Sequence, residues 1–135
     1  MSQFLLDTNT WIAYFRNSSE KVVSHIKSCD VDDIFLCSIV YFELTYGVIR
    51  SSEPYRQARA EQLAEIHALH KCIPFNDAAG AIAAEIRSNL ASLGTPIGPY
   101  DLLITATAIA NDLTLVSSNT KEFSRVPRLQ LEDWS

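Results

Sequence analysis

Short apolar runs separated by longer stretches of helical period are the strongest constraint on how this chain can fold. Phe4 to Leu6, Ile34 to Cys37, Cys72 to Phe75 and Leu113 to Val116 read as strands, with a weaker candidate at Leu129 to Leu131. The segments between them carry helix signals. A helix is expected from Thr10 to about Arg16 behind an Asn9 cap, and a second from Ser19 to Ser28. A third runs from Ser38 to about Arg50, with Phe42, Tyr46 and Ile49 at the spacing of a buried face. Pro54 opens a fourth with a Leu63, Ile66 and Leu69 stripe. Asn76 opens a fifth through Ile82, Ile86, Leu90 and Leu93, closed by Gly94. Asp101 to about Asn111, nearly all apolar or small, reads as a helix packed on several sides. Strands that alternate with helices build βαβ units, so the expected fold class is α/β: a mainly parallel sheet in a three-layer sandwich. With 135 residues and no visible repeat or linker, one domain over 1–135 is expected.

Composition narrows the functions open to such a domain. Sixteen acids against eleven bases give a formal charge of -5, which disfavours wrapping nucleic acid on a broad basic surface. Met1 to Asp7 has neither a basic stretch nor a long apolar core, and no run suits a membrane span, so a cytoplasmic location is expected. Cys29, Cys37 and Cys72 are odd in number and lack a C-x-x-C spacing, which points to reduced, buried thiols.

In an open parallel sheet, ligands bind beyond the carboxyl ends of the strands. Asp7 ends the first run, Glu43 lies in the helix after the second, Asp77 follows the third and Asn119 the fourth, while Asp101 opens the apolar last helix. Glu43 sits in an apolar helix, where an ionised side chain has to be paired, metal-bound or turned to water. Asp77, beside the cap Asn76, reads as a first-turn acid. Asp7, Glu43 and Asp101 gathered together would repel one another unless a cation neutralised them, and all-oxygen ligands suit Mg²⁺ or Mn²⁺. Such a centre can orient a phosphate and activate water for in-line attack. His67, His70 and Cys72 read as helix-surface histidines near a strand, and Asp30 to Asp33 as a solvated turn. No nucleotide-binding glycine loop or hydrolase elbow is present.

These residues resemble the PIN domains, and within them the VapC-type toxins of bacterial toxin–antitoxin pairs. The likeness rests on Leu5-Leu6-Asp7-Thr8-Asn9, on Ser38 through Glu43-Leu44 with Gly47, on Gly98-Pro99-Tyr100-Asp101, and on Leu115 through Asn119 to Phe123, with the ending up to Trp134. It implies a PIN-like α/β/α sandwich and a Mg²⁺-dependent endoribonuclease, Mn²⁺ being an alternative ion, with its acid cluster on Asp7, Glu43 and Asp101. The resemblance puts the metal on Asp7 and Asp101, with Glu43 sharing it or positioning the attacking water. Asn119 takes the family's fourth, often acidic, position in a supporting role; Glu122 is a candidate for the missing charge, though Lys121-Glu122 also reads as a surface pair. The resemblance further implies an RNA substrate, often tRNA, a homodimer, and a VapB-type antitoxin lying in an apolar groove, for which Trp11, Tyr14, Phe15 and Tyr46 are candidates. Arg16, Arg50, Arg87 and Lys121 are candidate cations for RNA at the rim. The uncharged Asn119 also suits a second reading, a catalytically silent PIN-like module that binds RNA or protein.

Overall fold

A computed structural model describes residues 2–135 of the chain. Five parallel strands form the sheet: β1 (Phe4–Leu6), β2 (Ile34–Cys37), β3 (Cys72–Ile73), β4 (Thr114–Val116) and β5 (Leu131–Glu132), in the order β3-β2-β1-β4-β5. Phe4 pairs with Ile34 on one side and with Thr114 on the other, so β1 is central. The chain adds β2 and β3 outward on one side, then crosses over to lay β4 and β5 on the other. That reversal opens a crevice beyond the carboxyl ends of β1 and β4, the place where such sheets bind ligands.

Seven helices complete the α/β/α sandwich: α1 (Thr8–Arg16), α2 (Glu20–Ser28), α3 (Ser38–Arg50), α4 (Tyr55–Leu69), α5 (Asp77–Ser92), α6 (Pro99–Ala110) and the single turn α7 (Thr120–Phe123). Leu5, Leu6, Leu36, Val40, Ile104, Leu115 and Val116, none more than 1% exposed, make the core around the sheet. A second cluster, with Ala83, Ile86 and Leu90 of α5 against Leu102 and Ala106 of α6, joins those two helices. The small residues Ala83 and Ala106 let them approach closely. α6 is enclosed on several sides, as its composition predicts, with Leu102 and Ile104 to Ala108 all buried. Gly94, at φ +69, ends the α5 region in the left-handed conformation that glycine adopts freely. Cys29, Cys37 and Cys72 are all free thiols, fully buried only at Cys37.

Several local expectations are corrected. α1 starts two residues early because Asp7, not Asn9, caps it, accepting from the Thr10 N–H at 2.9 Å. α3 contains two competing stripes. Val40, Leu44 and Val48 turn inward, whereas Phe42, Tyr46 and Ile49 are 47%, 53% and 66% exposed. Two residues is about 200° of helix, so the stripes lie nearly opposite and periodicity cannot choose between them. Leu69 and Leu93, at helix ends, are exposed rather than buried. Trp11 is fully buried against His70 and belongs to the core, so it cannot line an open groove. His70 is likewise not a surface residue: it is buried, with Nδ1 at 3.0 and 3.1 Å from the carbonyls of Val31 and Ile34. His67 does lie on the surface, against Tyr41. β3 ends at Ile73 and β5 begins at Leu131, since only those residues find parallel partners.

Candidate active site

Each acid reaches the crevice from a different element. Asp7 is the residue after β1; its own N–H donates to Val116 O of β4 at 3.0 Å, which seats it over the switch point. The carboxylate Oδ1 accepts from the Thr10 hydroxyl at 2.6 Å as well as from the Thr10 N–H. Burial pushes its proton affinity above the ordinary carboxylate value, while the hydroxyls of Ser117 and Thr10 and the Thr10 N–H pull the other way. Glu43, in the second turn of α3, is half-buried, and its Oε1 accepts from Thr8 Oγ1 at 2.6 Å. α1 therefore holds two of the acids, one through its cap and one through its first residue.

Asp101 lies in the first turn of α6, where the helix dipole favours a negative charge. Its pKa is nevertheless pushed up to about 6, first by burial and then by the charges of Glu122, Glu43 and Asp7. Asp101 thus lies within reach of the charges of three other carboxylates. Glu122 has turned away from Lys121: its Oε1 accepts from the Gly98 N–H at 2.7 Å and its Oε2 from Asn119 Nδ2 at 3.2 Å. Those two hydrogen bonds hold its pKa below the ordinary value. The Asn119 N–H in turn donates to Ser117 Oγ at 3.0 Å. A Cβ on Gly98 would lie 3.7 Å from both Asp101 Oδ2 and Glu122 Oε1, so these two carboxylates flank the same point of the backbone.

Asp77 stands apart, exposed in the first turn of α5, and does not join the other acids. Thr8, Gly98 and Ser117 also shape the site; they lie in the segments that carry the family resemblance, but residue type alone assigns them no role. Ser117 follows β4 directly, matching the place of Asp7 after β1. Among the described residues, no three His, Cys, Asp or Glu side chains close around a point as a ready-made ion cage. The donors are nonetheless of one hard, anionic kind, and their mutual repulsion at Asp101 is what a divalent cation would relieve.

Beside Glu43, a cleft of about 200 Å³ opens between α1, α3 and α4, lined by Ile12, Phe15, Leu44, Val48 and Leu63, with Arg16 and Arg59 at its edge. Tyr14 and Phe15 also line a neighbouring depression beside α2. Tyr46 lies outside the cleft, exposed on α3, where Arg50 covers its ring and donates to its hydroxyl at 3.2 Å. Arg87 lines a separate cleft between α5 and α6.

A parallel sheet with acids from three helices and a strand end converging at its switch point defines a nuclease-like α/β/α domain. The PIN domain model matches residues 4–129. A tRNA(fMet)-specific endonuclease VapC from Shigella flexneri is 35% identical over 138 residues, spanning all of both chains. One of the same name from Salmonella typhimurium is 32% identical over 136 residues, 99% of each. The structure of VapBC2 from Rickettsia felis bound to a promoter DNA fragment superposes with a TM-score of 0.89 at 32% identity, covering 98% of each chain. The chain belongs to the PIN domain family, among its VapC ribonucleases. It is a nuclease of the toxin–antitoxin class.

Proposed function

We propose that the protein, acting as one PIN domain over residues 1–135, hydrolyses RNA phosphodiesters with a divalent ion, Mg²⁺ or Mn²⁺, held by Asp7 and Asp101. The supporting observation is the meeting of Asp7, Glu43, Asp101 and Glu122 at the switch point, with Asp101 lifted to about 6 by burial and by the other three charges. When bound, the ion supplies charge neutralisation and an activated water for in-line attack. Asp7, fixed by Thr10 and by its backbone bond to Val116, presents one rigid carboxylate oxygen set. Glu43, steadied by Thr8, shares the ion or orients the attacking water as its proton acceptor. Asn119 supports Glu122 through its amide nitrogen.

The substrate we propose is RNA, with tRNA favoured by the names of the Shigella and Salmonella relatives. A VapB-type antitoxin is the proposed partner, by analogy with the VapBC complexes among the structural neighbours. The apolar cleft beside Glu43 suits an apolar peptide segment that ends in a basic residue near the acids. A homodimer is proposed as the assembly; the exposed Phe42, Tyr46 and Ile49 stripe is an apolar surface suited to a second copy. Cytoplasmic action is part of the same reading; among the described residues no helix is long and apolar enough to cross a membrane. Incubating antitoxin-free protein with total RNA, with and without Mg²⁺ or Mn²⁺, is the test: ion-dependent cleavage is expected, and RNA binding without turnover would favour a silent binding module.

A further inference from the structure

An amide and an acid at the crevice, Asn119 and Glu122, are bonded to each other. Asn119 and Glu122 are three residues apart, one turn on α7, and Nδ2 of the first donates to Oε2 of the second at 3.2 Å. The other oxygen of Glu122 accepts from the Gly98 N–H at 2.7 Å, on the residue that caps α6, the helix of Asp101. Asn119 is itself held through its N–H by Ser117, the buried residue facing Asp7. The two ends of the acid site are thus joined through this pair. An aspartate at position 119 would set two carboxylates against each other at hydrogen-bond distance, which is unfavourable without a shared proton or a cation.

We propose that Asn119 and Glu122 work as one positioning unit, in which Glu122 carries the negative charge beside Asp101 and fastens Gly98, while Asn119 holds that carboxylate in place. This rests on Asp101 being an ion-holding carboxylate. The pair is distinguished from a generic surface contact by its polarity. Glu122 accepts at both oxygens, so its role can be divided between charge and hydrogen bonding by substitution. In Glu122→Gln, an amide flip at Asn119 restores both hydrogen bonds and only the charge is lost. In Asn119→Asp, the charge is doubled and the bond between the two side chains is lost. In the exchanged pair Asn119→Asp/Glu122→Gln, the introduced amide still accepts from Gly98 through its carbonyl oxygen. Its nitrogen donates to the introduced carboxylate, so one charge and both bonds return.

The test is calorimetric titration of full-length protein with Mn²⁺ alone, alongside thermal unfolding in ion-free buffer. Glu122→Gln is expected to bind Mn²⁺ about fivefold to tenfold more weakly than wild type, the size of one lost neighbouring charge, with its Tm unchanged. Asn119→Asp is expected to melt below wild type. The exchanged pair is expected to recover the wild-type Tm and to bind Mn²⁺ within about threefold of wild type. A Glu122→Gln protein that binds Mn²⁺ like wild type overturns the inference, as does an exchanged pair no better than the single variants. Wild-type protein that fails to bind Mn²⁺ overturns the ion-site reading itself, and the inference with it.

Discussion

Asp101 pays for its neighbours in proton affinity, and this has a sign that can be measured. Its folded-state pKa of about 6 lies above the ordinary 3.8, so between those values the folded protein holds a proton that the unfolded chain has released. Stability therefore falls as pH rises through that window, the reverse of the usual salt-bridged aspartate. In ion-free buffer at pH 7, Asp101→Asn is expected to raise the Tm by ~3 °C. The gain should vanish near pH 4, where the folded wild-type carboxyl is protonated; thermal melts of both proteins between that pH and neutrality check it. Asp7 behaves differently under substitution because it both caps α1 and faces the crevice. Asn is as good a cap as Asp, whereas Ala loses the bond to Thr10 at a cost of about 1 kcal/mol. Asp7→Asn should be at least as stable as wild type while RNA cleavage falls by at least ~100-fold, and Asp7→Ala should lose both the cap and cleavage. Three of the four acids can be read from residue type and position alone: Asp7 follows a strand, Glu43 lies in the helix beyond one, and Asp101 stands at the head of an otherwise apolar helix. The fourth, Glu122, cannot be assigned that way, because only the folded turn shows it facing Gly98 and Asn119 rather than Lys121.

At the scale of elements, the strand positions follow from the apolar runs because a central parallel strand is buried on both faces and has no polar alternation to confuse it. Periodicity reveals that the helices exist, but it does not fix how they are turned. α3 carries two apolar stripes, and the choice of Val40 and Leu44 over Phe42 and Tyr46 is made by the sheet against which it packs. The stripe left outside has a measurable consequence. Ile49→Glu, at a 66% exposed position, should leave the Tm within ~2 °C of wild type, since it removes no core contact. If the homodimer uses this face, the same change shifts the sedimentation coefficient toward that of a monomer; an unchanged dimer would place the interface elsewhere. The cap of α1 shows the other kind of miss. Asp7-Thr8-Asn9 offers two capping side chains, and the tertiary bond from the Asp7 N–H to Val116 decides between them.

At the scale of the molecule, a formal charge of -5 excludes broad electrostatic wrapping of a phosphate backbone but not phosphate chemistry at one point. Part of that charge is concentrated where β1 and β4 end, a location set by strand order rather than by local sequence. The pairing order β3-β2-β1-β4-β5 follows from no single segment; it emerges when the crossovers place β2 and β3 on one side of β1 and β4 and β5 on the other. A divalent ion that binds the folded acids and not the unfolded chain must raise stability, so the Tm should climb with Mg²⁺ or Mn²⁺ concentration in wild type and not in Asp7→Asn/Asp101→Asn. The most direct measurement is RNA cleavage by antitoxin-free protein under chelation and add-back. EDTA is expected to stop cleavage, excess Mg²⁺ or Mn²⁺ to restore it, and folded Asp7→Asn to stay inert throughout. Cleavage that persists in EDTA, or at wild-type rate in Asp7→Asn, would rule out an ion-dependent reaction at these acids.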